Sequence, residues 1–101
     1  MRVLLAEDAQ GMRKLISTML QGMGAQEIIE AGDGSEAWEL LGNNEVDLVL
    51  TDWNMPSVEG LEFVERVRGS AEFDDLPVIS FYNVFIAWPL EHLNYVATHC
   101  R

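Results

Sequence analysis

Residues 48–56, with the sequence LVLTDWNMP, decide the fold and suggest where its chemistry lies. The apolar run from Val46 to Leu50 predicts a strand that is buried on both faces. This strand delivers Asp52 at its carboxyl end, and open parallel α/β sheets bind ligands just outside that end. Asp52 is therefore a candidate reactive group. The alternative is an ordinary turn, because Asp, Asn and Pro at alternate positions are also common in turns.

The rest of the chain repeats a pattern of strand followed by helix. Apolar runs predict a first strand at Val3–Ala6, a second, near an edge of the sheet, at Glu27–Ala31, and a fourth at Leu76–Phe81. Helices are predicted for the apolar stripe Met12, Leu15, Ile16, Met19, Leu20 and Met23, for Ser35 to Leu41, and for Leu61 to Arg68. This alternation predicts an α/β fold with a doubly wound parallel sheet and right-handed crossovers.

Local signals place the helix ends and the core. Asp8 is positioned to cap the first helix, and Gly22 or Gly24 to end it. Asp33 and Glu36 resemble a capping box for the second helix. We assign the stripe of the first helix, with its methionines, to the core rather than to a cofactor site. In the third helix, the inward residues are predicted to be Leu61, Val64 and Val67.

Composition limits the classes of partner. The chain has 101 residues, 49% of them hydrophobic and 23% charged, as expected for one small globular domain. Seventeen acidic against six basic residues give a net charge of −11. This charge argues against nucleic-acid binding, which needs a basic face. It suits a partner with a basic surface, or a bound cation.

The cysteine count and the apolar segments bear on the compartment. Cys100 is the single cysteine, so no internal disulfide can form and a reducing compartment is expected. The apolar run after Arg2 is too short for a signal peptide. No segment approaches the ~20 apolar residues of a membrane span. We therefore expect a cytoplasmic protein that does not associate with membranes.

Acidic residues follow two of the predicted strands. Glu7 and Asp8 end the first strand and Asp52 follows the third. If these strands are neighbours, as in the flavodoxin-like order 2-1-3-4-5, the three carboxylates converge and repel unless a cation lies between them. Mg²⁺ fits such a site, with the backbone carbonyl of Asn54 as a further ligand. A carboxylate beside Mg²⁺ can attack a phosphoryl group and become an aspartyl phosphate.

Other kinds of site fail on spacing. A calcium-binding EF-hand loop starting at Asp52 would need glycine at Ser57 and an acid at Phe63. No Cys/His pair has zinc spacing, and His92 and His99 are more simply surface residues. The chain also lacks the nucleophile elbow of serine hydrolases.

Three strings carry a resemblance to a known family: VLLAED at residues 3–8, LVLTDWNMPSVEGLEFVERVR at 48–68, and LPVI at 76–79. They closely resemble the receiver domain of two-component response regulators. Within that family the chain looks most like the single-domain chemotaxis regulators, through residues 52–56 and 60–62. The resemblance covers residues 1 to about 80 and is specific.

The resemblance implies roles for particular residues. Asp52 would be the phosphoacceptor, and Glu7 and Asp8 the acidic pair that binds Mg²⁺. Asn54 would give its backbone carbonyl to the metal. A sensor histidine kinase would supply the phosphoryl group, and the output would pass through contact with a downstream protein.

The C-terminal part departs from the family pattern. The family places Thr or Ser where this chain has Tyr82, and Ser80 lies two residues early. The only lysine is Lys14, so the phosphate-binding lysine of the family has no counterpart. Only 19 residues follow Tyr82, so the receiver fold is expected to be incomplete at this end. We divide the chain into a receiver-like core, residues 1–82, and an atypical strand and helix, residues 83–101.

Residues 83–101 still carry structural signals. Val84 to Trp88 has strong β character, and Pro89 favours the first turn of a helix. A parallel crossover needs about a dozen residues, more than the chain has between Phe81 and Val84. The 84–88 segment must therefore extend the fourth strand, turn back, or pair with another chain. We predict a strand-exchanged homodimer, with a monomer covered by its own terminal helix as the alternative. That helix would bury Leu90, Leu93, Val96 and Ala97.

Three functions follow from these patterns. The first is a receiver that accepts a phosphoryl group on Asp52. The second is a truncated receiver, lacking the switch Thr/Ser and the lysine, that acts only as a protein-binding or dimerisation module. The third is a Mg²⁺-dependent phosphohydrolase, which we set aside because residues 52–54, Asp-Trp-Asn, lack the second acid of the DxD pattern. We expect a signalling protein rather than an enzyme.

Overall fold

The computed structural model describes residues 1–52 and 60–81. They form a four-stranded, wholly parallel sheet in the order β2-β1-β3-β4, so the predicted alternation and strand order are confirmed for these strands. The elements are β1 (Arg2–Ala6), α1 (Gln10–Gly22), β2 (Glu27–Ala31), α2 (Gly34–Asn43), β3 (Leu48–Asp52), α3 (Gly60–Arg68), a 3₁₀ turn (Ala71–Phe73) and β4 (Val78–Phe81). Residues 53–59 and 82–101 lie outside the described part, and with them Asn54 and the predicted C-terminal strand and helix.

Strand β1 is the centre of the sheet. Its residues Val3 to Ala6 are buried almost completely, because strands flank β1 on both sides and helices cover it. Ala6 pairs with Ala31 on one side and with Thr51 on the other. The carboxyl ends of β1, β2 and β3 therefore lie level with one another.

Three strands differ in their bounds from the predictions. β1 begins at Arg2 rather than Val3. β3 begins at Leu48 rather than Val46, and it includes Asp52 as its last residue. β4 begins at Val78 rather than Leu76. Pro77 has no N–H to donate to the ladder, although its carbonyl accepts from Val49 at 3.0 Å. The shift of β3 places Asp52 in the sheet itself and fixes its backbone.

The core lies between the sheet and helices α2 and α3. Val67 and Phe63 of α3 are fully buried, and Gly60 lies on the same face. Leu61, which we predicted to point inward, is 46% exposed, because it lies about 100° around the helix from that face. Phe63 takes the inward place that the pattern assigned to Leu61. The cluster comprises Leu4, Ala6, Ala31, Ala37, Leu41, Val49, Phe63, Val67, Leu76 and Val78.

Helix α2 begins with the predicted capping box. Asp33 is the N-cap residue, and its Oδ1 accepts from the Glu36 N–H at 2.8 Å. Glu36 Oε1 accepts in turn from the Gly32 N–H at 2.7 Å. This reciprocal pair satisfies two backbone donors at the helix start. The helix is longer than predicted, running from Gly34 to Asn43.

The start of α1 differs from the prediction. Ala9, not Asp8, is the N-cap residue, and no side chain caps the helix there. Glu7 Oε1 accepts from the Ala9 N–H at 3.0 Å instead. Asp8 is thereby left free of a capping role, and its side chain is exposed.

The end of α1 is a Schellman motif. The Gly24 N–H donates to the carbonyl of Gln21, and the Ala25 N–H donates to the carbonyl of Leu20. Gly24 has a φ of 103°, a left-handed conformation that glycine adopts without strain. The helix therefore ends at Gly22, and Gly24 turns the chain toward β2.

The apolar stripe of α1 is not part of the core, so that prediction is wrong. Ser17 is the only buried residue of the helix, whereas Leu15, Met19 and Met23 are exposed. Helix α1 packs on β1 and β2, and none of its residues belongs to the core cluster. Periodicity showed which residues share a face of α1, but burial depends on what packs against that face.

Arg68 fixes the connection between α3 and β4. Its guanidinium donates to the carbonyl of Phe73 at 3.0 Å and to that of Leu76 at 2.6 Å. Phe73 also packs edge-to-face on Trp38, with ring centroids 6.0 Å apart. These contacts hold the 3₁₀ turn against α2. No helix within the described residues has the length and apolar character of a membrane span.

Candidate acidic site

The carboxyl ends of β1 and β3 bring three acidic residues together. Glu7 and Asp8 follow β1 directly, and Asp52 ends the neighbouring strand β3. One carboxylate oxygen from each residue lies within 4.8 Å of the other two. The structure thus assembles three of the four residues that we predicted for the metal site. Asn54, the fourth, lies outside the described residues.

Burial and charge act together on Glu7. This side chain is only 4% exposed, whereas Asp52 is partly exposed and Asp8 is exposed. The pKa of Glu7 is raised from 4.5 to about 7, chiefly by burial. The neighbouring Asp8 and Asp52 contribute to this rise, and the hydrogen bond from the Ala9 N–H opposes it. At neutral pH Glu7 therefore retains much of its proton until a cation compensates the charge.

Two hydrogen bonds hold the Glu7 backbone, and an ion pair anchors the side chain that makes one of them. The Glu7 N–H donates to the carbonyl of Ala31 at 3.0 Å. Arg13 Nη1 donates to the Glu7 carbonyl at 2.8 Å, and Arg13 Nε forms an ion pair with Glu30 at 3.1 Å. A Cβ added to Gly32 would lie 3.4 Å from Arg13 Nη1, so the β2–α2 turn packs closely on this guanidinium.

Arg13 is the positioning residue that sequence reasoning missed. It lies two residues before Leu15 of the α1 stripe, and no role was assigned to it from the sequence. The available signal was the pairing of β1 with β2, because that pairing brings Glu30 within reach of the helix that follows Glu7. Only the three-dimensional structure shows that Arg13 holds the backbone of Glu7.

The geometry suits a hard divalent cation. Carboxylate oxygens are the ligands that Mg²⁺ prefers, and one or two of them with waters and a phosphate oxygen complete its coordination. The pKa of Glu7 is raised chiefly by burial, and the negative charge of Asp52 adds to the rise, so a bound cation would favour the ionised carboxylate. Asp52 is accessible to solvent and could act as a nucleophile toward phosphorus.

Strand β4 lies beside the strand that carries Asp52. Phe81 pairs with Asp52, and Ser80 pairs with Thr51. Ser80 therefore lies one register position before Asp52, and Tyr82, at the family's Thr/Ser position, lies outside the described residues.

Comparison with known proteins identifies the family. The response regulator receiver domain profile matches residues 3–82.

The chain belongs to the response regulator receiver domain family.

Curated relatives are chemotaxis proteins. A chemotaxis protein CheY homolog of Campylobacter jejuni is 42% identical over 80 residues, which are 78% of this chain and 62% of that protein. Chemotaxis protein CheY1 of Helicobacter pylori is 39% identical over 80 residues, with 78% and 64% covered. The chain thus spans about three fifths of the length of the curated relatives it matches. The predicted likeness to chemotaxis-type receivers is confirmed.

Solved structures share the fold. Chemotaxis response regulator CheY4 of Vibrio cholerae aligns with a TM-score of 0.73 at 33% identity, over 78% of this chain and 65% of that one. The N-terminal domain of a response regulator receiver protein from Methanoculleus marisnigri aligns with a TM-score of 0.80 at 27% identity, over 99% and 79%. These likenesses confirm the flavodoxin-like receiver fold. The family is one of signalling proteins.

Proposed function

We propose that this chain is a working receiver: it accepts a phosphoryl group on Asp52 from a sensor histidine kinase and transmits the signal by protein contact. The observation that supports the proposal is the cluster of Glu7, Asp8 and Asp52, whose carboxylate oxygens lie within 4.8 Å of one another. The family supports it further, because receivers are the phosphoacceptors of two-component systems. The fit to chemotaxis proteins suggests motility as the process.

The metal site of this proposal consists of Glu7, Asp8, Asp52 and the backbone carbonyl of Asn54. Mg²⁺ bound there would neutralise negative charge on the acidic residues and on the incoming phosphoryl group. Glu7 would lose its proton on metal binding, because a neighbouring cation favours the charged carboxylate even at a buried position. Its orientation would come from the Ala9 N–H and its backbone position from Arg13.

The chemical step transfers the phosphoryl group between two side chains. A carboxylate oxygen of Asp52 attacks the phosphorus of a phosphohistidine, the P–N bond breaks, and the imidazole leaves with the electron pair. Asp52 is held for this attack as the last residue of β3. The hydroxyl of Thr51, a fully buried residue, donates to the Asp52 carbonyl at 3.1 Å and stiffens the strand end.

The charge of the chain supports the choice of partners. A net charge of −11 suits a kinase or output protein that presents a basic surface, and it disfavours nucleic acid. We propose a cytoplasmic location, where histidine kinases present their phosphorylated domains and where the lone Cys100 would remain reduced. We also propose that the chain has no turnover of external phosphoesters.

Our proposal for self-association concerns residues 83–101, which we treat as a unit distinct from the receiver-like core of residues 1–82. β4 is the last strand in the described sheet, and there it pairs only with β3. The β-prone residues 84–88 of another copy could extend the sheet at that edge. We therefore propose a homodimer that forms through the C-terminal segment.

Phosphorylation with a small donor tests the function directly. The protein is incubated with Mg²⁺ and acetyl phosphate, and its intact mass is measured beside that of Asp52→Asn. We expect a gain of one phosphoryl group that requires Mg²⁺ and is absent from the variant. A chain that gains no phosphoryl group under these conditions would contradict the proposal and favour the dimerisation module. Release of phosphate from an added phosphoester would instead favour the phosphohydrolase.

A further inference from the structure

One side of α1 presents an apolar surface to solvent. Leu15, Met19 and Met23 are 53%, 57% and 81% exposed, and they lie at successive turns of the helix. We call these three residues the α1 apolar surface. Next to Met23 it opens into a cavity of about 260 Å³, lined also by Met1 and Leu48. Large side chains aligned in this way mark a site for another surface rather than scattered exposure.

The α1 apolar surface lies in the part of the chain that has no acids. Residues 9–26 contain no Asp or Glu and carry Arg13 and Lys14. Residues 76–101 contain a single acid, Glu91. The remaining 16 of the 17 acids lie outside these two segments. Two molecules that each carry a charge of −11 repel, and they approach with least repulsion if these two acid-poor segments meet.

The C-terminal segment also matches the α1 apolar surface in pattern and length. After Pro89, the apolar residues Leu90, Leu93 and Ala97 recur at helical spacing, and Cys100 continues the same face. A helix would span about 10 Å from Leu90 to Ala97, and α1 with its C-cap residue spans about 12 Å from Leu15 to Met23. Two apolar stripes of similar length can therefore pack side by side.

The direction of β4 favours a second copy over the same chain. Phe81 ends β4 at the carboxyl edge of the sheet, whereas Met23 shares its cavity with Met1, at the amino edge. Seven further residues, 82–88, if extended as their β character indicates, advance about 23 Å beyond Phe81. A helix formed by the residues after Pro89, as their spacing predicts, would then begin away from the α1 of its own chain.

We propose that residues 89–101 of one copy pack on the α1 apolar surface of a second copy. This inference rests on the proposed homodimer and names the surface that receives the C-terminal segment. In a symmetric pair, each α1 receives the segment of the other copy, so both apolar surfaces are covered at once.

A charge placed on the α1 apolar surface tests the proposal. Met19→Glu puts a carboxylate into the expected interface, and Gln21→Glu places the same charge on the opposite side of α1. Light scattering over a concentration series should show that Met19→Glu raises the dissociation constant of the dimer by about tenfold or more. Gln21→Glu should behave as the unmodified chain does. Equal dimerisation of all three proteins, with equal circular dichroism, would overturn the proposal.

The single cysteine allows the two copies to be distinguished. A chain with Met19→Cys and Cys100→Ser is mixed with a mass-tagged chain that keeps Cys100, and the mixture is oxidised gently. We expect a disulfide of mixed mass, and none when Gln21→Cys replaces Met19→Cys. With Met19→Cys and Cys100 in one chain, an intramolecular disulfide in a monomer would overturn the proposal and favour a segment that folds back on its own α1.

The proposed receiver function and the proposed docking surface can each be disproved without the other. Phosphorylation of Asp52 is measured by mass and does not require the dimer, so a monomeric Met19→Glu chain that still gains a phosphoryl group keeps the receiver function intact. A dimeric chain that gains none would contradict the function and leave the docking surface standing.

Discussion

Replacing Glu7 by Gln should make the metal-free protein more stable at neutral and alkaline pH. The pKa of Glu7 rises from 4.5 to about 7 on folding, chiefly because the side chain is buried. A carboxyl with a raised pKa holds its proton more tightly in the folded chain, so ionisation above that pKa opposes folding. The destabilisation caused by ionising Glu7 is absent below pH 4.5, grows between pH 4.5 and about 7, and reaches its full size above pH 7.

The magnitude follows from the size of this change in pKa. At ~1.4 kcal/mol for each pH unit, ionised Glu7 lowers the free energy of unfolding by about 3 kcal/mol at pH 8. Gln keeps an oxygen that can accept from the Ala9 N–H but carries no charge, so Glu7→Gln should recover much of that amount. The gain should fade to near zero at pH 4.5, where Glu7 is protonated.

Urea unfolding in EDTA, repeated between pH 4.5 and 8, measures the effect. The difference between Glu7→Gln and the unmodified chain reports Glu7 together with its interaction with Asp8 and Asp52, because the acids outside this cluster are common to both proteins. Glu62→Gln, on the exposed side of α3, is the matched control and should give no pH-dependent gain. A difference that stays flat over this pH range would refute the reasoning. Mg²⁺ at about 100 times its dissociation constant should stabilise the unmodified chain by about 2.7 kcal/mol at pH 8, and Glu7→Gln by less.

Two further predictions concern the scaffold, and both use urea unfolding. Arg68→Ala should lower the free energy of unfolding by about 3 kcal/mol, because the carbonyls beyond α3 lose a charged donor, whereas the exposed Arg66→Ala should change it by less than about 0.5 kcal/mol. Equal effects of the two would show that the Arg68 hydrogen bonds do not hold the turn. Gly24→Ala should destabilise by about 1 kcal/mol because of its left-handed φ, whereas Gly11→Ala, in α1 with nothing within 4 Å of the added methyl, should stabilise by about 1 kcal/mol. The same sign for both glycines would contradict this account.

The sequence predicted the parts of the fold that depend on local pattern. Strand β2 has the predicted bounds, and the Asp33–Glu36 capping box is formed as expected. The strand order followed from chain topology, which then brought the acids of β1 and β3 together. These features need only short-range signals and the handedness of parallel crossovers.

The predictions that failed concern features that tertiary contacts determine, namely the helix cap and the buried faces of the helices. Ala9 rather than Asp8 caps α1, because Glu7 turns back to accept from its N–H. Phe63 rather than Leu61 faces the core, because the side of α3 that meets α2 and the sheet sets the inward face. The exposure of Met19 follows likewise from what packs on α1, and an apolar period alone cannot show this.

Helix α1 carries both Arg13, which holds the backbone of the acidic site, and the proposed docking surface, yet the two are separated along the helix. Arg13, near the start of the helix, holds Glu7, and Met19 lies about 9 Å further along the axis. A charge introduced at Met19 therefore lies about one Debye length from Arg13 at physiological salt, where exposed charges interact weakly. Met19→Glu should for this reason leave the extent of Asp52 phosphorylation unchanged. A marked fall in phosphorylation, with the fold intact, would mean that α1 couples the two sites and that the docked segment acts on the acids through Arg13.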